Sequence, residues 1–144
     1  MKAAVVTDST CLIGLERIGR LDLLPATFEV ILAPPAVRRE FGVPVGWLTT
    51  QAPTNIPLVA VLALHLGAGE SEAIALAQEL GHPLVVDDRI ARMTASRLGV
   101  SCLGTLAVLV KARRAGLVVQ LLPLVDALER NGFFLSAALK AEAL

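Results

Sequence analysis

Apolar and polar positions change rhythm several times along the chain, and each change marks an element. "KAAVVT" is a short apolar run closed by a polar turn, the pattern of a strand buried on both faces. From Asp8 the spacing turns helical, with Leu12, Leu15, Ile18 and Leu21 on one stripe and Asp8 or Ser9 available as N-cap. "FEVILA" reads as a second buried strand. Pro34 and Pro35 close it and start the helix "PAVRREFG", which Gly42 ends. Residues 43–57, with prolines among Gly, Thr, Gln and Asn, read as an irregular loop.

An apolar helix or strand follows near Leu58–Leu66, and then a helix in "GESEAIALAQELG" that stops at Gly81. "PLVVD" is a third strand, "RIARMTASRLG" a helix, "VSCLG" a fourth short strand and "TLAVLVKARRAG" a helix. From Leu117 the tail reads as helical to the end, broken near "NGFF". This alternation predicts an α/β fold with a mainly parallel sheet and right-handed crossovers. No internal repeat, low-complexity stretch or second domain interrupts it, so residues 1–144 are expected to form one domain.

Composition narrows the function classes. With 144 residues, 55% of them hydrophobic, the chain can bury a sizeable core. A net charge of zero excludes the global basic field of a strong nonspecific nucleic-acid binder, though not a local basic groove. At 3% aromatic, base stacking is not expected as the main binding mode. Cys11 and Cys102 lack zinc spacing and read as reduced core residues. "AAVV" is cut off by Asp8 before it can resemble a secretory signal, and "IPLVAVLALHLGAG" is too short to span a bilayer. The expectation is a soluble, cytoplasmic protein.

The stretch "LVVDDRIAR" carries the most chemistry: a buried strand runs into two adjacent carboxylates. Such charges destabilise the rim of a core unless a turn, a cation or a metal takes them up. Ligands of open parallel sheets bind outside the carboxyl ends of the strands. Asp8 follows the first strand there, and Asp87 and Asp88 follow the third. Glu40 lies near the end of the helix after strand two, and Glu70 opens the helix leading into strand three. On that helix Ala73, Ile74, Leu76, Ala77 and Leu80 form the buried face, which puts Glu70 on the core side and Glu72 in solvent.

Each acid alone also has a structural explanation. Asp8 and one of the Asp87/Asp88 pair suit N-caps, with a salt bridge to Arg89 or Arg92 for the other, and Glu70 complements a helix dipole. Only their joint placement points to chemistry. Carboxylates converging without histidine or cysteine suit a hard cation such as Mg2+ or Mn2+. One or two such ions can activate water and stabilise the charge that develops in phosphodiester cleavage.

The residues resemble the PIN-domain ribonucleases, and especially a PIN-like group related to toxin–antitoxin nucleases. "VVTDSTCLIGL" resembles the opening strand and first acid, "PPAVRREF" the helix of the second, "GAGESEAIALAQELG" the third and "LVVDDRIAR" the fourth. "LGTLAVLVKARRAGLV" is similar to the segment that closes the domain. The resemblance covers nearly the whole chain and implies a three-layer α/β/α sandwich with about four to five strands. It also implies metal-binding roles for Asp8, Glu40, Glu70 and the Asp87/Asp88 pair, with Asp8, Glu40, Glu70 and Asp88 as the main set and Asp87 assisting. Typical members carry an aspartate eleven residues before a glycine; here Glu70 takes that place before Gly81, and its longer side chain changes the metal geometry.

Ser9 and Thr10 stand where the family often places a hydroxyl near metal-bound water or phosphate, and both also suit helix capping. Arg89, Arg92 and Arg97, with Lys111, Arg113 and Arg114, supply basic faces on two late helices, open to a phosphate backbone or to solvent. His65 and His82 fit no acid–base pair, and Trp47 is a loop anchor or a partner contact.

The expected function is metal-dependent hydrolysis of phosphodiester bonds in RNA, single-stranded or structured. The resemblance implies as partners a small antitoxin-type protein and a second copy in a homodimer. The alternative is a catalytically weak or inactive PIN-like module for nucleic-acid binding or protein interaction, with the tail "FFLSAALKAEAL" or residues 56–66 as contact surface for a partner. A phosphoryl-transfer domain fits less well, because "TDST" lacks a second aspartate and no lysine ends a strand as a receiver requires.

Overall fold

The computed structural model describes residues 3–144. Among them the strands β1 (Ala4–Thr7), β2 (Val30–Ala33), β3 (Leu48–Thr50), β4 (Leu84–Val85) and β5 (Cys102–Leu103) form one sheet in the order β3-β2-β1-β4-β5. Every neighbouring pair is parallel. β1 is therefore the point where chain order departs to both sides, β2 on one edge and β4 on the other. Thr7 pairs with Val85, and the Asp8 N–H donates to the Val85 carbonyl at 3.1 Å. This register brings the residues that follow β1 and β4 side by side at the topological switch point.

Nine helices complete the described chain: α1 (Ser9–Arg17), α2 (Leu23–Thr27), α3 (Pro35–Phe41), α4 (Ile56–Leu62), α5 (Ala68–Leu80), α6 (Arg89–Arg97), α7 (Thr105–Arg114), α8 (Leu122–Arg130) and α9 (Ala137–Ala143). They flank the sheet in two groups. α5 packs on β1 and β4 and against α3, α4 and α6, while α2 packs on β2 and α7, and α7 on β5. The sheet is thus covered on both faces, which is why Val5, Val6, Ile31, Leu84 and Val85 are buried and the strands read as continuous apolar runs. Burying each such side chain contributes roughly 1.5–3 kcal/mol.

The α/β sandwich follows the sequence reading, with corrections. The 43–57 stretch is not all loop: β3 lies in it, pairing Ile31 with Leu48 and Ala33 with Thr50. Its three residues bury only Leu48, so its strand character comes from the edge of β2 rather than from its own pattern. The Leu58–Leu66 segment is a helix that starts earlier, at Ile56, where the Asn55 side chain accepts from the Leu58 N–H. Leu21 lies outside the first helix, which stops at Arg17. Gly19 turns the chain at φ +73°, and α2 follows. The tail is helical only from Leu122, and the break spans 131–136. Lys2, at the start of the expected first strand, lies outside the described residues. Among those residues no helix is long and apolar enough to cross a membrane.

Candidate functional site

Asp8 is the centre of the site. As N-cap of α1 it accepts the Cys11 N–H on Oδ1 at 3.4 Å, and it is only 1% exposed. No ion pair reaches it among the described residues. Burial first, and then the nearby charges of Asp87 and Glu70, push its carboxyl up to about 8, against the pull of the Cys11 and Thr10 N–H groups. A carboxylate this deep without a cation is an expensive arrangement for the apoprotein.

Asp87 and Glu70 act directly on Asp8, Asp88 and Glu40 act on Glu70, and each of the four is fixed from a different element. Asp87, beyond the end of β4, is gripped by Thr105 at the start of α7: the Thr105 N–H donates to Oδ1 at 2.9 Å and its hydroxyl to Oδ2 at 2.6 Å. Asp88 is the N-cap of α6 and accepts the Ala91 N–H at 2.9 Å. Glu70, in the first turn of α5, accepts the Gly67 N–H at 3.4 Å. Glu40, in the last turn of α3, accepts the Ser9 hydroxyl at 3.0 Å. Gly69 leaves room for that side chain, since a Cβ there would overlap the Glu40 carboxylate. Burial, then Asp88, then Glu40 raise the Glu70 carboxyl, opposed by the Gly67 N–H. Glu70 is thereby the acid that feels Asp8, Asp88 and Glu40 together.

The structure places Asp8 beside Asp87 and Glu70, and Glu70 beside Asp88 and Glu40, beyond the ends of β1 and β4. It also distinguishes the doublet: Asp87 acts on Asp8, and Asp88 acts on Glu70. Glu72, read as solvated, is half-buried and accepts the Ala36 N–H at 3.1 Å, so it caps the start of α3. The sequence reading missed Thr105. It is fully buried and follows β5 by two residues, so the rule that flagged Asp8 and Asp87 would have found it at the fourth strand end as well.

The donor set is all oxygen, and Asp8 makes no ion pair among the described residues. By that chemistry the residues fit a hard divalent cation. As the side chains stand, no three His, Cys, Asp or Glu among the described residues come close enough together to hold an ion.

The basic residues separate. Arg92, Lys111 and Arg114 line a groove that begins at the acids, with Arg17 of α1, which the sequence reading passed over. Arg92 shares with Asp87 the gap over Gly104, where a Cβ would meet Asp87 Oδ1 at 3.0 Å and Arg92 Nη1 at 3.2 Å. Arg113 instead donates to the Ala143 carbonyl at 3.2 Å, and Arg89 and Arg97 are exposed away from the groove. Cys11 is buried as expected, whereas Cys102 is half-buried on the groove wall. Trp47 packs against the core as an anchor, and neither histidine lines the groove.

Comparison with known proteins gives the family and the fold. A family model described as DUF3368, PIN domain, matches residues 4–144. Among solved structures, a PilT N-terminus domain protein from the hyperthermophilic archaeon Sulfolobus solfataricus P2 is similar in fold, with a TM-score of 0.56 and 19% identity. The likeness covers 74% of this chain and 90% of that one. No curated protein sequence matches the chain.

Proposed function

The chain belongs to the PIN-domain family, and from that premise we propose that it is a divalent-metal-dependent nuclease that hydrolyses phosphodiester bonds in RNA. One observation carries the reading: Asp8 is buried, with no ion pair among the described residues, beside Asp87 and Glu70 at the switch point of the sheet. That arrangement is costly for a purely structural rim and suited to Mg2+ or Mn2+. Asp8, Glu40, Glu70, Asp87 and Asp88 would hold one or two such ions. The ion, when bound, supplies an activated water and stabilises charge developing on the phosphate oxygens.

The remaining work falls to the chain's own groups. Thr105 holds both Asp87 oxygens, the Ser9 hydroxyl fixes Glu40, and the α1 N–H groups hold Asp8 in place. Arg92, beside Asp87, is placed to receive a phosphate of the entering strand. Two measurements test the proposal: Mn2+ titration by calorimetry, and cleavage of a labelled RNA with and without chelator. Wild type should bind Mn2+ and cleave only with metal, and Asp8→Asn should do neither. Cleavage that survives both chelation and Asp8→Asn would remove the metal mechanism.

A second reading has its own observation. On and just beyond α4, Ile56, Val61 and Leu64 are 65%, 60% and 74% exposed, an apolar face suited to a second copy or to a small antitoxin-type protein. An interaction module would use this face and leave RNA untouched. Sedimentation of wild type and Val61→Glu/Leu64→Glu decides: a dimer lost in the variant supports self-association through α4, and a monomer in both opposes it.

A further inference from the structure

The groove that begins at Glu70, Asp87 and Asp88 has a volume of about 950 Å3 and continues along α7 toward the C-terminal segment. Its far end is unlike its beginning. Arg17, from the last turn of α1, and Lys111 and Arg114, from the last turn of α7, line it, with Glu142 of α9 the one acid beside them. None of the three makes an ion pair among the described residues. The loop 131–136 adds Phe134 to the same wall, 89% exposed.

Phe134 is held outward by its neighbours. The Phe133 ring lies so close to Gly14 of α1 that a Cβ there would overlap it, and Leu135 is buried. With residues on both sides anchored inward, the loop presents the Phe134 ring to the groove instead of to the core. A ring exposed to that degree contributes almost nothing to folding. A low aromatic content argues against stacking over a broad surface, but one anchored ring beside unpaired cations is enough for one base.

We infer that this end of the groove holds unpaired nucleotides flanking the bond to be cut, with one base stacked on Phe134 and the adjoining phosphates on Arg17, Lys111 and Arg114. The inference rests on the nuclease reading for the identity of the strand.

The test uses the full chain with Asp8→Asn, to hold RNA intact, and anisotropy of a labelled single-stranded RNA. Phe134→Ala should weaken binding roughly 5- to 140-fold with no change in melting temperature. Phe134→Trp, in a Trp47→Phe background, should keep the affinity and show fluorescence quenching when RNA is added. Lys111→Ala/Arg114→Ala should reduce the slope of log affinity against log salt by about 1.4, near 0.7 for each phosphate contact. An oligomer with abasic sites should bind Phe134→Ala and its parent equally. Unchanged affinity and unchanged salt slope would overturn the inference, as would a self-association that Phe134→Ala abolishes, which would assign the ring to a second copy. The two proposals fail separately. RNA binding that depends on Phe134 without any cleavage by wild type leaves the groove and removes the nuclease, and metal-dependent cleavage indifferent to Phe134 does the reverse.

Discussion

At one end of the groove the carboxylates are tied to helix beginnings; at the other, the cations sit untied on helix ends. Asp8 caps α1, Asp88 caps α6, Glu70 lies in the first turn of α5, and Asp87 meets the first N–H of α7. Arg17, Lys111 and Arg114 belong to the last turns of α1 and α7. Helix polarity thus sorts these signs, since the partial positive charge of a helix start stabilises an acid and the negative end a base; Glu40, in the last turn of α3, is the exception and is held by the Ser9 hydroxyl instead. α1 and α7 each carry an acid at the start and a cation at the finish, and the groove runs between these poles. The comparison teaches that capping and site formation are not rival explanations for these acids. The same N–H groups that make the acids good caps also hold them in position.

The most severe break of the acid end is Asp8→Asn. Cleavage should fall by more than about 100-fold, beyond the roughly 10- to 100-fold typical of groups that only support a metal ligand. Single-turnover kinetics with Mn2+ would measure it, and a folded circular dichroism spectrum would show that the loss is local.

The same variant sharpens the comparison through pH. The Asp8 carboxyl is raised from its ordinary value to about 8 in the folded, metal-free chain. The unfolded chain therefore ionises first, and folding stability falls as pH rises from about 4 to about 8, then levels off. Asp8→Asn removes this penalty. Without metal it should melt several degrees above wild type at pH 9, with the gap closing near pH 4. Mn2+ should raise the wild-type melting temperature at pH 9 and leave that of Asp8→Asn unchanged.

Thr105→Val tests the grip on Asp87. It deletes a 2.6 Å bond to a buried-edge carboxylate, so it should cost about 1–3 kcal/mol of stability and roughly 10- to 100-fold in cleavage. Thr105→Ser should restore most of both, which thermal melts and the same kinetics can follow. Gly14→Ala acts at the opposite end by displacing the Phe133 ring that anchors Phe134. RNA affinity should drop by about a single stacking contact or less, with cleavage of saturating substrate preserved. The mildest change is Glu72→Gln. It weakens the cap on the Ala36 N–H by about 1 kcal/mol or less and should leave cleavage untouched, in contrast to Glu70→Gln.

Much of this was legible in the sequence. The apolar runs of β1, β2 and β4 and the glycine stop of α5 at Gly81, φ +70°, follow local rules that hold in any context. Residues just after parallel strands face the ligand side, so Asp8 and Asp87 could be placed before any contact was known. Where the reading failed, the deciding partner was distant in sequence. β3 is a strand because β2 offers its edge, and Glu72 is a cap because α3 begins beside it, 36 residues away. Phe134 could not be told from core by its own hydrophobicity, because its exposure depends on Gly14 and on the burial of Leu135.

By itself, then, the sequence determined the alternation of elements, the parallel sheet and the places of Asp8 and Asp87 after their strands, because periodicity, capping and strand-end position are properties of short segments. Only the tertiary structure decided that Asp87 answers to Thr105 and Asp88 to Ala91, and that Asp8 lies deep enough to be raised to about 8. It alone also joined the acids to a cationic, aromatic groove. Burial and long-range hydrogen bonds are set by which surfaces meet, and a linear pattern does not contain that information.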